Sequence, residues 1–146
     1  MPRGDRRAAV TGASTPHHLL VIDDEPFIGR IVRMQFERGP YRVSIAGDGP
    51  SGLAFLRDNP DVDCVLVDVN MPGMSGLDVI EEAREDPHFK ATTFVVLTAA
   101  GATGHAERAK ALGAAAFVTK PFSPKKLFRQ ISAIMGDEPP PDTLDG

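Results

Sequence analysis

The sequence predicts an α/β fold in which a parallel β-sheet is covered by helices on both faces. Five short apolar runs alternate along the chain with five segments of helical periodicity, and no segment is repeated. Most of these runs are apolar throughout rather than alternating, which is typical of strands buried on both faces. Strands of this kind, joined by helices, form parallel sheets with right-handed crossovers. The length of 146 residues fits one domain with its own core.

The first strand and helix follow a polar leader. Residues 1–17 lack periodicity and are rich in Arg, Ala, Gly, Ser and Thr, which predicts disorder. His17 and His18 are interpreted as the solvated end of this leader, since no third metal ligand is nearby. Leu19–Ile22 is the first apolar run, and the Asp-Asp-Glu-Pro sequence after it is a good helix start. The helix is expected to stop at Gly39-Pro40.

The second and third units occupy the middle of the chain. Residues 41–45 alternate apolar and polar, which predicts a strand with one wetter face at a sheet edge. A short helix is expected over residues 50–57. Residues 63–68 pass abruptly into a turn rich in Pro and Gly, as a buried strand leaving its sheet does. Apolar residues then recur at a spacing of three over residues 77–83, which predicts the third helix.

The last two units differ in how well they are specified. Residues 93–97 form another apolar run, whereas the helix predicted over residues 99–113 carries two glycines near its start. Its first turn is therefore expected to be loop or loosely held. Residues 114–118 predict the fifth strand. Ser123 is the expected cap of the last helix, which ends at Gly136.

Composition argues against several classes of function. A net charge of −4 and a pI near 5.5 provide no basic surface for nucleic acid or an anionic membrane. No apolar run reaches membrane-spanning length, no signal peptide is recognised and Cys64 is the single cysteine, so we expect a cytoplasmic protein. The domain is expected over residues 18–136, followed by an acidic, Pro-rich tail at 137–146.

Polar residues with matching chemistry follow four of the predicted strands. Ligands of parallel sheets bind beyond the carboxyl ends of the strands; the residues at these ends are Asp23, Asp24, Asp68, Thr98 and Lys120. Converging carboxylates repel one another unless a cation joins them, and all-oxygen ligands suit Mg²⁺. Together with a lysine and a hydroxyl donor, they are equipped for phosphoryl transfer onto Asp68. Each residue alone has a plainer role as a cap, strand end or surface charge, but their coincidence favours function.

Four motifs in this order resemble the receiver domain of bacterial two-component response regulators, the single-domain chemotaxis-type regulators included. The resemblance covers residues 19–135. The motifs are Asp23-Asp24-Glu25-Pro26, Asp68-x-Asn70-Met71-Pro72-Gly73-Met74-x-Gly76, Thr98-Ala99 and Lys120-Pro121-Phe122. The resemblance implies a flavodoxin-like (βα)5 doubly wound sandwich, with a five-stranded parallel sheet in the order 2-1-3-4-5.

The resemblance also implies an acceptor and a switch. Asp68 would accept a phosphoryl group from a histidine kinase or a His-containing phosphotransfer protein, and Lys120 would contact that group. Thr98 would be the switch hydroxyl, and Phe117 occupies the position of the switch aromatic. Phosphorylation adds charge and acceptor oxygens, which would draw Thr98 and Lys120 inward. The Lys120-Pro121 peptide bond is expected to be cis.

A magnesium site is implied by the same resemblance. Mg²⁺ would be held by Asp24, Asp68 and the backbone carbonyl of Asn70, and Asp23 would act through water. Only self-phosphorylation and autodephosphorylation are expected as intrinsic reactions, so the chain is predicted to be a signalling phosphoacceptor rather than an enzyme. Its expected partners are the phosphoryl donor and a downstream protein target, without nucleic acid or membrane. It would be a monomer or a phosphorylation-dependent dimer.

Three other functions remain open at this point. A phosphoryl shuttle between histidines would use the same residues without a change in partner affinity. A Mg²⁺-dependent phosphatase would typically need an acid/base Asp where this chain has Asn70, and a cap over its substrate. A phosphorylation-independent adaptor would need the fold alone, and the intact set of site residues argues against it.

Overall fold

A computed structural model describes residues 16–99 and 104–136 and confirms the predicted fold class. Within these residues, five strands alternate with five α-helices, and a 3-10 turn at Pro87–Phe89 precedes the fourth strand. The elements are β1 His17–Ile22, α1 Pro26–Phe36, β2 Tyr41–Ala46, α2 Gly49–Asp58, β3 Cys64–Asp68, α3 Gly76–Arg84, β4 Thr93–Ala99, α4 Ala106–Ala111, β5 Ala116–Lys120 and α5 Pro124–Ile134.

The sheet has the strand order β2-β1-β3-β4-β5, and all four strand pairs are parallel. This is the order that the resemblance implied, and β2 lies at an edge as its alternating pattern predicted. Ile22 pairs with Val67, and Asp68 pairs with Leu97. The register therefore brings the carboxyl ends of β1, β3 and β4 to one edge of the sheet.

Each face of the sheet has its own hydrophobic core. In β3, Val65 and Val67 pack on the face covered by α2 and α3, whereas Cys64 and Leu66 pack on the face covered by α1 and α5. All five residues of β3 are buried, because this strand is central and covered on both sides. Cys64 belongs to the second of these cores, and this burial raises the pKa of its thiol.

The prediction that His17 and His18 belong to a solvated leader is wrong. Both lie in β1, and His18 is only 4% exposed. Its ring contacts partners from two other segments, with Nε2 2.8 Å from Ser44 Oγ and Nδ1 2.9 Å from Asp61 Oδ2. These partners satisfy a buried imidazole, which explains why a polar residue is tolerated inside a strand.

Two element boundaries also differ from the prediction. The fifth strand runs over Ala116–Lys120 rather than residues 114–118, so Lys120 is its last residue. The fourth helix begins only at Ala106, and Gly104 has a φ of +85° outside it. The loose start expected for this helix is thus confirmed at Gly104, whereas residues 100–103 lie outside the described part. The predicted leader up to residue 15 and the tail from residue 137 lie outside it as well.

None of the helices described is both long and apolar enough to cross a lipid bilayer.

Candidate functional site

Three strand ends bring charged side chains together at the carboxyl edge of the sheet. Asp23 follows β1, Asp68 ends β3 and Lys120 ends β5. The Lys120 ammonium lies 2.9 Å from Asp23 Oδ2 and 3.2 Å from Asp68 Oδ2. Both carboxylates are 2% exposed, so these ion pairs form in a largely desolvated place. The convergence predicted from the strand ends is present for these three residues.

Asp68 is held by the turn that follows it. Its Oδ1 accepts a hydrogen bond of 3.0 Å from the Asn70 backbone N–H, while Oδ2 faces Lys120. The start of α3 packs directly behind it, because a Cβ on Gly76 would lie 2.4 Å from the Asp68 carbonyl oxygen. Ser75 caps α3 and forms a capping box with Asp78, which fixes this close approach. The carboxylate therefore projects from a rigid junction between strand and helix.

Asp23 lies deepest among the acids of the site. Burial raises its pKa above the usual value, and the charge of Asp68 adds to this, although the nearby Lys120 ammonium and the hydrogen bond from the Glu25 N–H oppose the shift. Its Oδ2 makes no hydrogen bond of good geometry within the described residues, despite the 2.9 Å approach of Lys120. A buried carboxylate oxygen in this state is an available ligand for a cation.

Lys120 is the positive centre of the site. Although burial alone lowers the pKa of this ammonium, its hydrogen bond to Glu25 and the nearby Asp23 carboxylate raise it above the usual value. Lys120 is therefore charged at neutral pH and able to balance part of the surrounding negative charge. The Lys120–Pro121 peptide bond is cis, as the resemblance implied.

Glu25 is a site residue that the sequence reasoning missed. Its Oε1 lies 2.7 Å from Lys120 Nζ, and ligand atoms of Asp23, Glu25 and Asp68 all lie within 4.8 Å of one another. Asp24, predicted as a metal ligand, is exposed and does not belong to this group of three acids. Glu25 stands within the Asp-Asp-Glu-Pro motif, and that placement was the only signal in the sequence.

Thr98 and Asn70 lie beside the charged centre. The Thr98 hydroxyl is buried at the end of β4 and has no hydrogen-bond partner within residues 16–99 and 104–136. Asn70 is exposed, and its side-chain oxygen accepts a hydrogen bond of 2.9 Å from the Ala99 N–H, which ties the β3 turn to β4. Phe117 is half-buried and packs against the core on the α2 and α3 face. The predicted switch pair therefore lies on β4 and β5, next to the site.

The donor set fits Mg²⁺. The clustered acids offer only oxygen ligands, and Asp23 Oδ2 lacks a good hydrogen bond in the part of the chain that the structure describes. Hard, small cations prefer such oxygens and keep several waters, whereas zinc and copper sites draw on nitrogen and sulfur. A divalent ion would also relieve the repulsion between Asp23 and Asp68.

An apolar cleft opens beside Lys120. Its volume is about 430 Å³, and it lies between the start of α1, the end of β4 and the loop between β5 and α5. It is lined by Glu25, Phe27, Ile28, Ile31, Ala99, Lys120, Pro121, Phe122 and Pro124. Phe27 is 47% exposed at its rim, so one large hydrophobic surface adjoins the charged centre.

Comparison with known proteins matches the part of the chain that contains the site residues. A family profile described as the response regulator receiver domain matches residues 19–132. The chain is 31% identical over 119 residues to the chemotaxis protein CheY1 of Helicobacter pylori, an alignment covering 81% of this chain and 96% of that protein. It is 33% identical over 117 residues to the transcriptional regulatory protein ResD of Bacillus subtilis, covering 80% of this chain and 47% of ResD. The chain thus spans about half of ResD, and 25% of the response regulator PleD of Caulobacter vibrioides.

Solved structures show the same fold. The chemotaxis response regulator CheY4 of Vibrio cholerae superposes with a TM-score of 0.76 at 29% sequence identity. That superposition covers 82% of this chain and 99% of the CheY4 chain.

Proposed function

Since this chain belongs to the response regulator receiver domain family, we propose that it accepts a phosphoryl group on Asp68 from a phosphohistidine. The donor would be a histidine kinase or a His-containing phosphotransfer protein. The observation that carries the proposal is the buried Asp68 carboxylate, which lies 3.2 Å from Lys120 and beside a second buried acid. A carboxylate on a rigid strand end, with a cation at hand, is suited to nucleophilic attack on phosphorus.

The proposed reaction is an in-line displacement. One carboxylate oxygen of Asp68 forms a bond to phosphorus while the bond from phosphorus to the donor histidine nitrogen breaks. The electron pair of that bond remains on the imidazole, which takes a proton from solvent, and Asp68 becomes an acyl phosphate. Lys120 is placed to contact the phosphoryl oxygens and offset their negative charge.

A magnesium ion is part of the proposal. Asp24, Asp68 and the backbone carbonyl of Asn70 would hold it, and Asp23 would act through water. When bound, Mg²⁺ would offset the charge of the carboxylates and of the phosphoryl oxygens. Support comes from the fit of the oxygen ligands and from the poorly satisfied Asp23 Oδ2. Asp24 lies one residue from this atom, on the loop between β1 and α1.

Phosphorylation is proposed to act on partners through Thr98 and Phe117. The buried Thr98 hydroxyl has no hydrogen-bond partner among the described residues, so it could donate a hydrogen bond to a phosphoryl oxygen on Asp68. Movement of Thr98 toward that oxygen would leave space beneath α4 for Phe117, which is only half-buried. A downstream protein that recognises this surface would then bind with changed affinity.

The apolar cleft is the proposed docking place of the phosphoryl donor. It adjoins Lys120, so a protein that places a phosphohistidine over Asp68 would cover the cleft with apolar side chains. Phe27, exposed at the rim, offers the largest apolar contact.

The reducing cytoplasm is the proposed compartment, since the single cysteine is a core residue.

Intact mass spectrometry tests the proposal. The protein is incubated with a small phosphodonor and Mg²⁺, alongside Asp68→Asn and a sample containing EDTA. We expect a gain of one phosphoryl group only in the unmutated protein with Mg²⁺, because the other samples lack the nucleophile or the ion. Labelling of Asp68→Asn to the same extent would show that Asp68 is not the acceptor. No gain under any condition would reject phosphorylation from small donors.

A further inference from the structure

Three carboxylates surround the Lys120 ammonium, and it donates hydrogen bonds to two of them, Glu25 and Asp68. The Nζ atom lies 2.7 Å from Glu25 Oε1, 2.9 Å from Asp23 Oδ2 and 3.2 Å from Asp68 Oδ2. An ammonium group has three N–H donors. With three carboxylate oxygens within 3.2 Å of Nζ, a phosphoryl oxygen gains close contact with Lys120 only when one of these acids moves aside.

The three acids differ in what their release would cost. The side chains of Asp23 and Asp68 are 0% and 2% exposed, whereas that of Glu25 is 48% exposed. Without a bound ion, a buried carboxylate that loses Lys120 keeps an uncompensated charge, which is strongly unfavourable. With Mg²⁺ bound, Asp23 and Asp68 would be paired with the ion, and Glu25 would remain as the anion that holds Lys120. Glu25 can instead turn into water and be hydrated. Glu25 is therefore the partner that leaves most easily, although it makes the shortest contact with Lys120.

We infer that Glu25 is a positioning residue that competes with the phosphoryl group for Lys120 and thereby slows phosphorylation of Asp68. This inference rests on the proposed function. Glu25 acts through Lys120 and does not touch the reacting atoms. Each incoming phosphoryl group must first displace the Glu25 carboxylate from the ammonium. The acceptor site thus carries its own competing anion, supplied by the first residues after β1.

A role for Glu25 as a metal ligand would have the opposite consequence. Its carboxylate lies within 4.8 Å of Asp23 and Asp68 ligand atoms, so it could share an ion with them. Removing a ligand would weaken Mg²⁺ binding and slow the reaction. Removing a competitor would speed the reaction and leave Mg²⁺ binding unchanged. The two roles are therefore separable by substitution.

Initial phosphorylation rates of three variants test the inference at saturating Mg²⁺. At low donor concentration, Glu25→Gln is expected to react about two- to fivefold faster, the size of a partly exposed ion pair. Glu25→Asp keeps the charge but shortens the side chain by one methylene, so it should also be faster. Glu85→Gln removes the same charge from an exposed position at the end of α3 and should react like the unmutated protein. Acetyl phosphate and phosphoramidate, which differ in net charge, should give similar factors.

Several outcomes would overturn the inference. If Glu25→Asp matches the unmutated protein while Glu25→Gln is faster, negative charge alone matters and the contact with Lys120 does not. If Glu25→Gln is slower, or binds Mg²⁺ severalfold more weakly by calorimetry, Glu25 is a ligand. An unchanged rate in Glu25→Gln would likewise reject competition.

Failure of the proposed function would look different. In that case the unmutated protein gains no phosphoryl group with any donor, and competition is tested with inorganic phosphate followed by NMR of backbone amides. Glu25→Gln should then bind phosphate about two- to fivefold more tightly than Glu85→Gln. Equal phosphate binding by these two variants would overturn the inference.

Discussion

At the scale of single residues, the charged site lowers the stability of the fold when no ion is bound. Asp23 and Asp68 are both buried, and one lysine is shared between them and Glu25. Burial disfavours the charged form of Asp23, and the second carboxylate disfavours it further. Such mutual repulsion is useful for binding a cation, because an ion that joins the carboxylates removes it. The same repulsion must lower stability when the ion is absent.

Asp23→Asn is expected to raise the melting temperature at pH 7 in Mg²⁺-free buffer. The pKa of Asp23 is higher in the folded state than its usual 3.8, so stability falls as the pH rises from 3.8 through the folded pKa. Asparagine remains neutral, so its advantage is greatest at neutral pH and disappears below pH 3.8, where Asp23 is itself protonated. Circular dichroism melts from about pH 3.5 to about pH 8 measure this difference in melting temperature, because the carboxyl groups titrate within that range.

Added Mg²⁺ should reverse the order of Asp23→Asn and the unmutated protein, since the ion stabilises the site that binds it more tightly. Asp58→Asn, at the exposed end of α2, controls for the loss of one negative charge. A lower melting temperature for Asp23→Asn at pH 7 without Mg²⁺ would mean that the ion pair with Lys120 outweighs the cost of burial.

Thr98→Val tests the switch hydroxyl. The hydroxyl is buried without a partner within the described residues, so its removal should leave the free energy of unfolding unchanged or raise it by about 1 kcal/mol. Phosphorylation should still add one phosphoryl group, whereas the chemical-shift change at Phe117 should be lost. Urea denaturation and amide NMR measure the two effects. Thr119→Val, exposed on β5 and paired with Thr98 across the ladder, is the control and should keep the Phe117 response.

At the scale of elements, the junction between β3 and α3 positions Asp68, the proposed acceptor. The capping box of Ser75 and Asp78 starts α3 immediately after the turn, and Gly76 lets the helix approach the strand end. An added Cβ would lie 2.4 Å from Asp68 O, which is too close for this backbone atom, and it would lie 3.0 Å from Val67 Cγ2, which is a tight contact. The glycine is therefore required by contact with the backbone that carries the acceptor.

Gly76→Ala is expected to lower the free energy of unfolding by about 1–3 kcal/mol, since the strand end and the helix must separate. Because this separation moves Asp68 relative to Lys120, phosphorylation should slow as well. Gly47→Ala is the matched control, since a Cβ there meets no atom within 4 Å, and its effect should stay within about 0.5 kcal/mol. Urea titration and intact-mass time courses test both variants. Normal phosphorylation by a destabilised Gly76→Ala would show that the acceptor tolerates this displacement.

At the scale of the whole molecule, more of the fold than of the site could be predicted from the sequence. The runs that became β1, β3 and β4 were recognisable because a strand covered on both faces is apolar at every position. The buried position of His18 could not be predicted in this way, since its hydrogen-bond partners Ser44 and Asp61 come from distant segments. The start of β5 was misplaced because Ala114, Ala115 and Ala116 carry no pattern that distinguishes strand from loop.

Site residues were predictable wherever a strand end fixed them. Asp68 and Lys120 are the last residues of β3 and β5, so their convergence followed from a parallel sheet. The loop after β1 is different, because its backbone direction decides which acid faces Lys120. Glu25 turns toward the lysine while Asp24 is exposed. The spacing of these acids in the sequence does not show which of them the loop backbone turns toward Lys120.

Hydrogen exchange should show that stability is distributed unevenly over the molecule. All five residues of β3 are buried, whereas Ala109 is the only buried residue of the six in α4. Across to α3, Arg108 bonds to Asp78 and Glu81 at 3.0 and 2.8 Å, but these ion pairs are exposed and contribute little. Amides of β3 should exchange only through global unfolding, and those of α4 at least about 100-fold faster through local opening.

The eleven-residue α5, which buries Leu127, Phe128, Ile131 and Ser132, serves as the internal reference and should exchange more slowly than α4. Arg108→Ala should speed exchange in α4 about two- to fivefold without changing β3. Equal protection of α4 and α5 would contradict this distribution. If the proposed switch operates through α4, low-cost opening of this helix would let a small change at Asp68 redistribute its conformations.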